Sequence, residues 1–397
     1  MKLVKLSLVA AMAAGVFATT ASAAPLEEVI KDVDVSGYTR LRYTHDRDAA
    51  RDNSAAWNFR GVLDIKAKID DNFFSVVGIR YNDSDNAHGG DVSTSRGSDG
   101  QDFDLYQAYF GYNIGGTTIQ VGRQVLGTFF SADMYGDGIK VVNTDVEGLV
   151  LAALWMDSLE DDGDMTARKT VDALKADGTL PASFKGVADH NLYGVAAIGA
   201  YDPVSFQIWY AVLEDAANLF AVEVAAAFDI DENVMLGGRA QYGFSDLDSD
   251  YTNTGLLSDG EFFGIEAFTK AYGFDMNAGY VFFDADNDTT YSLVTLEDQG
   301  GFISPGEEVL DYTFFLGKND YWFITAGYTF ADYGVRVGVD YINGDQKFAG
   351  DKSDIEEWVA RIDYAHNKNL KFKLWYSDYE IGDDDNKRVR FEAKYSF

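Results

Sequence analysis

Trp57-Asn58-Phe59-Arg60-Gly61-Val62-Leu63-Asp64-Ile65-Lys66-Ala67-Lys68-Ile69 decides the fold. Odd positions are apolar and even ones mostly polar or charged, the period of two that a β-strand with one apolar face imposes. The C-terminus repeats the pattern. Val389, Phe391, Ala393, Tyr395 and Phe397 share one face; Arg388, Arg390, Glu392, Lys394 and Ser396 share the other. Between Leu370 and Tyr376 the set Leu370, Phe372, Leu374 and Tyr376 alternates with Lys371, Lys373 and Trp375. Proline is scarce (4) while Tyr (24) and Phe (28) are abundant, which suits long paired strands flanked by aromatic girdles.

The start of the chain points to export. Lys2 and Lys5 precede an apolar stretch from Leu6 to about Thr20, and Ala21-Ser22-Ala23 supplies a small-x-small cleavage pattern. Residues 1–23 read as a signal peptide and 24–397 as the mature domain, with Pro25–Asp32 as a periplasmic lead-in. Cysteine is absent. No later stretch holds ~20 apolar residues, so a membrane-inserted form must be a closed barrel, which pairs its backbone groups without water. The net charge of −33 argues against nucleic-acid partners and fits a surface facing divalent cations and lipopolysaccharide.

Connections alternate in length. Short turns are expected near 70–72, 115–116, 144–147, 202–203, 230–231, 271–272, 331–332 and 367–368. Long polar loops are expected near 44–55, 82–101, 125–137, 158–189, 245–259, 284–320, 344–354 and 380–387, with a shorter one near 213–217. The expectation is an all-β, transmembrane antiparallel barrel of about 18 strands, with short periplasmic turns and long external loops. Terminal Phe397, in line with Tyr395 and Phe391, reads as an outer-membrane assembly signal. The run Leu149–Met156 is apolar on both faces, as a subunit contact or a wall beneath an inward loop would be.

Parity assigns charges to the lumen. Arg40 and Arg42 on the first strand, Arg60, Lys66 and Lys68 on the second, and Arg80 on the third point away from lipid. Closure brings Arg388, Arg390 and Lys394 beside them, with Lys371, Lys373 and Arg361 one or two strands further on. These residues are expected to form one basic wall. The acidic counterpart is loop-borne: Gly127–Gly138 (GTFFSADMYGDG) carries Asp133 and Asp137, and the next long loop brings Asp157, Glu160, Asp161, Asp162 and Asp164. Acids facing a basic wall would set a transverse field and narrow the pore, while the 157–164 group reads equally as acids of the outer surface that bind divalent ions or lipopolysaccharide. The acid runs Asp246/Asp248/Asp250 and Asp284/Asp286/Asp288 lack the glycine and glutamate of a calcium-binding hand, and read as loop tips.

The main functional expectation is a passive diffusion channel for ions and small hydrophilic solutes, drawn toward cations by its acidity. Two alternatives stand: a channel selective for carboxylate solutes, or a surface adhesin or structural barrel. His45, His88, His190 and His366 are dispersed without metal-ligand spacing, and no nucleophile elbow or phosphate loop occurs, so no enzyme is expected.

The chain also resembles the campylobacter-type major outer membrane porins. The likeness starts in MKLVKLSLVAAMAAG and APLEEVIKDVDVSG, and recurs at Gly138–Asn143 (GIKVVN), Gly148–Ala153 (GLVLAA), Asn191–Asp202 (NLYGVAAIGAYD), Glu297–Gly300 with Gly306–Glu308 (EDQG…GEE), Gly327–Asp340 and Ala360–Tyr364. It implies an 18-stranded homotrimeric barrel, a cation-preferring channel, and calcium held near the constriction by loop carboxylates. Asp137, or alternatively Asp133, matches the first such carboxylate, and Asp164 the acid of the following loop.

Overall fold

The computed structural model describes residues 33–47, 53–86, 103–160 and 190–397. The expected signal peptide, its lead-in and Asp164 lie outside the described residues.

Eighteen antiparallel strands close on themselves. In chain order they are β1 (Val33–Arg47), β2 (Ser54–Lys68), β3 (Phe73–Asn86), β4 (Asp104–Ile114), β5 (Thr117–Val125) and β6 (Tyr135–Asn143). Next come β7 (Leu149–Leu159), β8 (Leu192–Tyr201), β9 (Val204–Leu213), β10 (Ala217–Asp229), β11 (Val234–Leu247), β12 (Gly260–Ala271) and β13 (Phe274–Ala285). After a two-residue hairpin, β14 (Tyr291–Ser292) with β15 (Phe315–Leu316), the wall resumes. It continues with β16 (Lys318–Phe330), β17 (Val335–Phe348), β18 (Asp351–Ala365), β19 (Leu370–Ile381) and β20 (Asp384–Ser396). Each strand pairs with its sequence neighbours, and β20 pairs with β1 to shut the ring. Closure is finished by Gly37 and Phe397, whose N–H groups each donate to the other's carbonyl at 3.0 Å.

The outward face carries the apolar set. Leu41, Trp57, Phe59, Phe110, Val195 and Ile265 are exposed, as side chains meant for lipid must be. Aromatics gather at both rims. Tyr43–Trp57 and Trp322–Tyr341–Trp358 pack toward the long-loop end at 4.8, 5.1 and 4.2 Å. Phe73–Tyr112 and Phe274–Tyr328 pack toward the short-turn end at 4.5 and 4.6 Å.

Two expected loops are corrected. The segment 344–354 is a tight hairpin turned at Ala349–Gly350, both at positive φ, and 380–387 turns at Gly382–Asp383. Polar composition misled there because strands of 14 and 15 residues outrun the ~9–11 needed to cross. Beyond the membrane both strand faces meet water, so the alternation fades while pairing continues.

A hydrophobic core sits inside the barrel. Residues 126–134 and 286–317 fold inward; the second was expected to be external. Phe129, Phe130, Leu296, Phe302, Ile303 and Tyr312 are buried against the inner faces of β12, β13 and β16. Phe302 meets Phe262 at 4.3 Å and Tyr312 meets Phe283 at 4.9 Å between ring centres. In Leu149–Met156, Leu154 and Met156 belong to this core, while Leu151 and Trp155 face outward. That run is therefore a wall beneath an inward loop on one face.

A Cβ at Gly37 would lie 2.1 Å from the Val62 carbonyl oxygen, beside the closing seam. Gly37→Val is expected to lower barrel stability by about 3 kcal/mol through overpacking. The readout is the urea midpoint of the folded, fast-migrating band on cold denaturing gels. An unchanged midpoint would show that the seam tolerates the added bulk.

Candidate functional site

Register arranges the lumen charges in rungs. Lys371, Lys394, Arg40 and Arg60 are successive cross-strand partners over β19, β20, β1 and β2. One rung toward the long loops lie Lys373, Glu392, Arg42 and Asn58; beyond them come Trp375, Arg390 and Thr44, then Ser377, Arg388 and Asp46. The expected juxtaposition of the basic residues is therefore present. Glu392, on the same face, ties down two of them, with Arg42 at 2.9 Å and Arg40 at 3.9 Å. Others rest on aromatic faces. Lys394 lies 4.1 Å over the Tyr38 ring, Arg390 4.9 Å from Trp375 and Lys66 4.4 Å from Phe74.

The inward loops supply the facing acids. Asp133 pairs with Arg60 at 3.4 Å. On the second loop, Glu307 pairs with Arg361 at 2.8 Å and Glu308 with Arg388 at 2.5 Å. The backbone N–H groups of Glu307 and Glu308 donate to buried Glu357 of β18, which also accepts from the Ser377 hydroxyl at 2.7 Å. The two loops are joined by Glu297, whose Oε2 accepts from the N–H groups of Ala132, Asp133 and Met134 at 2.9, 2.9 and 2.6 Å. Three consecutive N–H groups around one carboxylate oxygen form a charge-assisted clasp.

Sequence reasoning missed the second loop as an inward element, and with it Glu297, Glu307 and Glu308. The signal was available: ten Leu, Ile, Val, Phe or Tyr side chains between 293 and 315 are too many for a solvated loop. It also missed Arg239 and Arg336. These pair with Glu266 at 2.6 Å and Asp275 at 2.5 Å and, with Arg361, line a polar cavity of about 250 Å³ beneath Pro305–Gly306.

Several expected site residues lie elsewhere. Asp137 is in β6, paired with Arg123 of β5, because the loop ends at residue 134. Both of its oxygens are taken by Arg123, at 3.1 and 2.9 Å, and Ser158 donates to it at 3.1 Å. Asp157 is exposed beside the register slip between β6 and β7 and does not face the lumen wall. Lys68 pairs with Asp71 at 3.1 Å on the short-turn rim, away from the constriction. Arg80 is in the wall but enclosed by Asp104, Glu160 and the Tyr135 ring.

Calcium does not fit Asp137 as placed, since a guanidinium already occupies the position a cation would take. Among the described residues no group of three metal-ligating side chains converges. Asp248 caps the helical turn Ser249–Thr252 by accepting from the Asp250 N–H, and Asp284 accepts from the Asn319 N–H.

Two outcomes follow from this geometry. Glu297→Leu removes the clasp, worth about 1.5–3 kcal/mol per charged hydrogen bond. Loop 126–134 should then become protease-sensitive and open-channel current noise should rise at least about twofold on that loss of anchoring. Unchanged proteolysis would mean that the apolar contacts alone hold the loop. Burial pushes the Glu308 carboxyl above its usual range, against the pull of Arg388. It therefore protonates at higher pH than a free glutamate, which removes one negative charge from the lumen and leaves Arg388 with Asp46 as its carboxylate partner. Selectivity should move toward anions on mild acidification, and Glu308→Gln should show the acid-form selectivity throughout. A pH-independent reversal potential would rule this out.

The barrel resembles solved outer-membrane channels in fold. OccAB4 of Acinetobacter baumannii superposes with a TM-score of 0.71 at 15% identity, covering 92% of this chain and 98% of that one. OpdL of Pseudomonas aeruginosa gives 0.70 at 14%, covering 93% and 99%. OpdK of Pseudomonas aeruginosa, solved with vanillate, gives 0.69 at 13%, covering 93% and 99%. No curated protein matches the sequence. The family model described as Campylobacter major outer membrane protein matches residues 1–397. With its closed 18-stranded wall and charged lumen, this chain belongs to that family of outer-membrane porins.

Proposed function

We propose that this porin is a passive diffusion channel for ions and small hydrophilic solutes, with a transverse field across its constriction. One observation carries the reading. Asp133, Glu307 and Glu308 on the inward loops each meet a wall arginine. By contrast Lys66, Lys371, Lys373, Lys394 and Arg390 have no ion-pair partner within 4.0 Å among the described residues. Positive charge without a counter-ion thus remains along the wall, and the loops that narrow the lumen bring carboxylates up to its edges. A solute between them is oriented by its own dipole, and passage depends on size and charge pattern.

The same five cations favour a second reading, a channel selective for carboxylate solutes; the related fold OpdK was solved with vanillate. Saturable, blockable conductance for one carboxylate class would select that reading, and absence of any single-channel conductance would favour an adhesin or structural barrel. An enzymatic role draws no support from the histidines described. The His190 ring is hydrogen-bonded to buried Tyr251 at 2.7 Å, and His366 sits at a short turn beside Tyr364. The family likeness extends the proposal to a homotrimer, for which the outward row Leu151, Trp155 and Val195 offers apolar surface. Lipid and lipopolysaccharide would surround the remainder.

The double variant Arg390→Gln, Lys394→Met is expected to shift the planar-bilayer reversal potential toward cations by about 10 mV in a tenfold salt gradient, since it removes two luminal charges. Asp133→Asn with Glu307→Gln should shift it toward anions. Shifts of the same sign in both variants would defeat the transverse-field reading.

A further inference from the structure

A second cavity lies behind the first inward loop, on the side turned away from the basic wall. It measures about 260 Å³ and lies between residues 126–132, Gly300–Gly301 and the inner faces of β6 to β9. Leu126, Phe129, Val150, Leu154, Ile198 and Trp209 make its lining apolar.

Thr128, Ser131 and Gln207 add neutral polar groups, and one lining side chain is charged. Lys140 of β6 lines the cavity and is only 5% exposed. Its ammonium has three protons to donate, yet its one hydrogen bond is to the Val125 carbonyl at 2.7 Å. No carboxylate lies within 4.0 Å of it among the described residues. Its cross-strand partner Gln120 is buried too, with an Oε1 that finds no donor. A buried ammonium without a counter-charge is costly, and proteins rarely keep one unless something pairs with it.

An apolar hollow ending in one unpaired cation complements one ligand class: a compact apolar body bearing a single acid group. The volume falls just below the usual range of roughly 300–1,000 Å³ for small-molecule pockets, which suits one ring. We propose that this cavity binds a small organic monocarboxylate, with its carboxylate on the Lys140 ammonium and its apolar part against Phe129, Leu154 and Trp209. The site differs in kind from the basic wall. Lysines open to water attract any anion, whereas this pocket requires an apolar body as well. Occupancy would also brace the back of the loop whose front presents Asp133 to Arg60.

Benzoate is a suitable probe, with acetate as the charge without the body and benzyl alcohol as the body without the charge. Binding to the purified barrel is followed by the emission of Trp209, taken as the difference between the protein and its Trp209→Phe variant. Benzoate is expected to bind at least about tenfold tighter than either control, in keeping with a hydrogen bond to a charged group. Lys140→Met should weaken benzoate by about tenfold while leaving benzyl alcohol within about twofold. An equal benzoate response in Lys140→Met, or no Trp209 response in the unaltered protein at about 50 mM, overturns the proposal. Should Lys140→Met fail to give the folded gel band, Ala152→Leu fills the cavity from β7. Benzoate binding that survives this filling likewise overturns it.

Discussion

The constraint on which everything else rests is that no backbone donor or acceptor can be left unpaired in hydrocarbon. A sheet meets it only by closing, and here closure runs through the β1–β20 ladder and ends in the reciprocal Gly37–Phe397 hydrogen bonds. Once the ring is shut, strand parity decides which side of the membrane wall each residue meets. A one-residue slip would bring Arg40 and Arg42 to lipid and Leu41 to water. The charge pattern of the lumen is therefore a consequence of the seam. The seam is also where the basic rung Lys371–Lys394–Arg40–Arg60 crosses.

That rung is unfavourable by itself, because like charges placed directly opposite in a sheet repel. The structure offsets it only in part. Glu392 neutralises at the next rung, and the rings of Tyr38, Trp375 and Phe74 take up Lys394, Arg390 and Lys66 without removing their charge. Elsewhere the lumen is treated differently: Arg239, Arg336 and Arg80 each sit against carboxylates of neighbouring strands or loops. Repulsion is thus retained at the seam and offset by carboxylates elsewhere in the lumen.

Much of the wall was legible because alternation is a local property. The strand number, most of the long and short connections and the face of the basic residues around the seam follow from a period of two. Where both faces meet the same medium the signal disappears, as above the membrane in β17 to β20, where paired strands read as loops. Depth and partner were harder. Asp137 carries a loop-like sequence around it, yet pairing of β5 with β6 draws it into a strand and gives it to Arg123. The inward path of 286–317 was invisible to any strand template. Its apolar side chains have no period, since they meet a curved inner wall.

The two inward loops behave as one mechanical element. At one end Asp133 meets Arg60 of β2. At the other, Glu307 and Glu308 are gripped by Glu357, Arg361 and Arg388 on β18 and β20. Between them the Glu297 clasp and the contact of Phe129 with Phe302, at 4.8 Å, fuse loop to loop. A strut anchored at both ends and stiffened by its own apolar core cannot move at one end alone. The free width of the lumen is then set by the length of this strut rather than by the number of strands, so barrels of equal circumference can pass very different solutes. The apolar core, which looks out of place inside a water-filled pore, is what makes the charged edge of the strut hold its position.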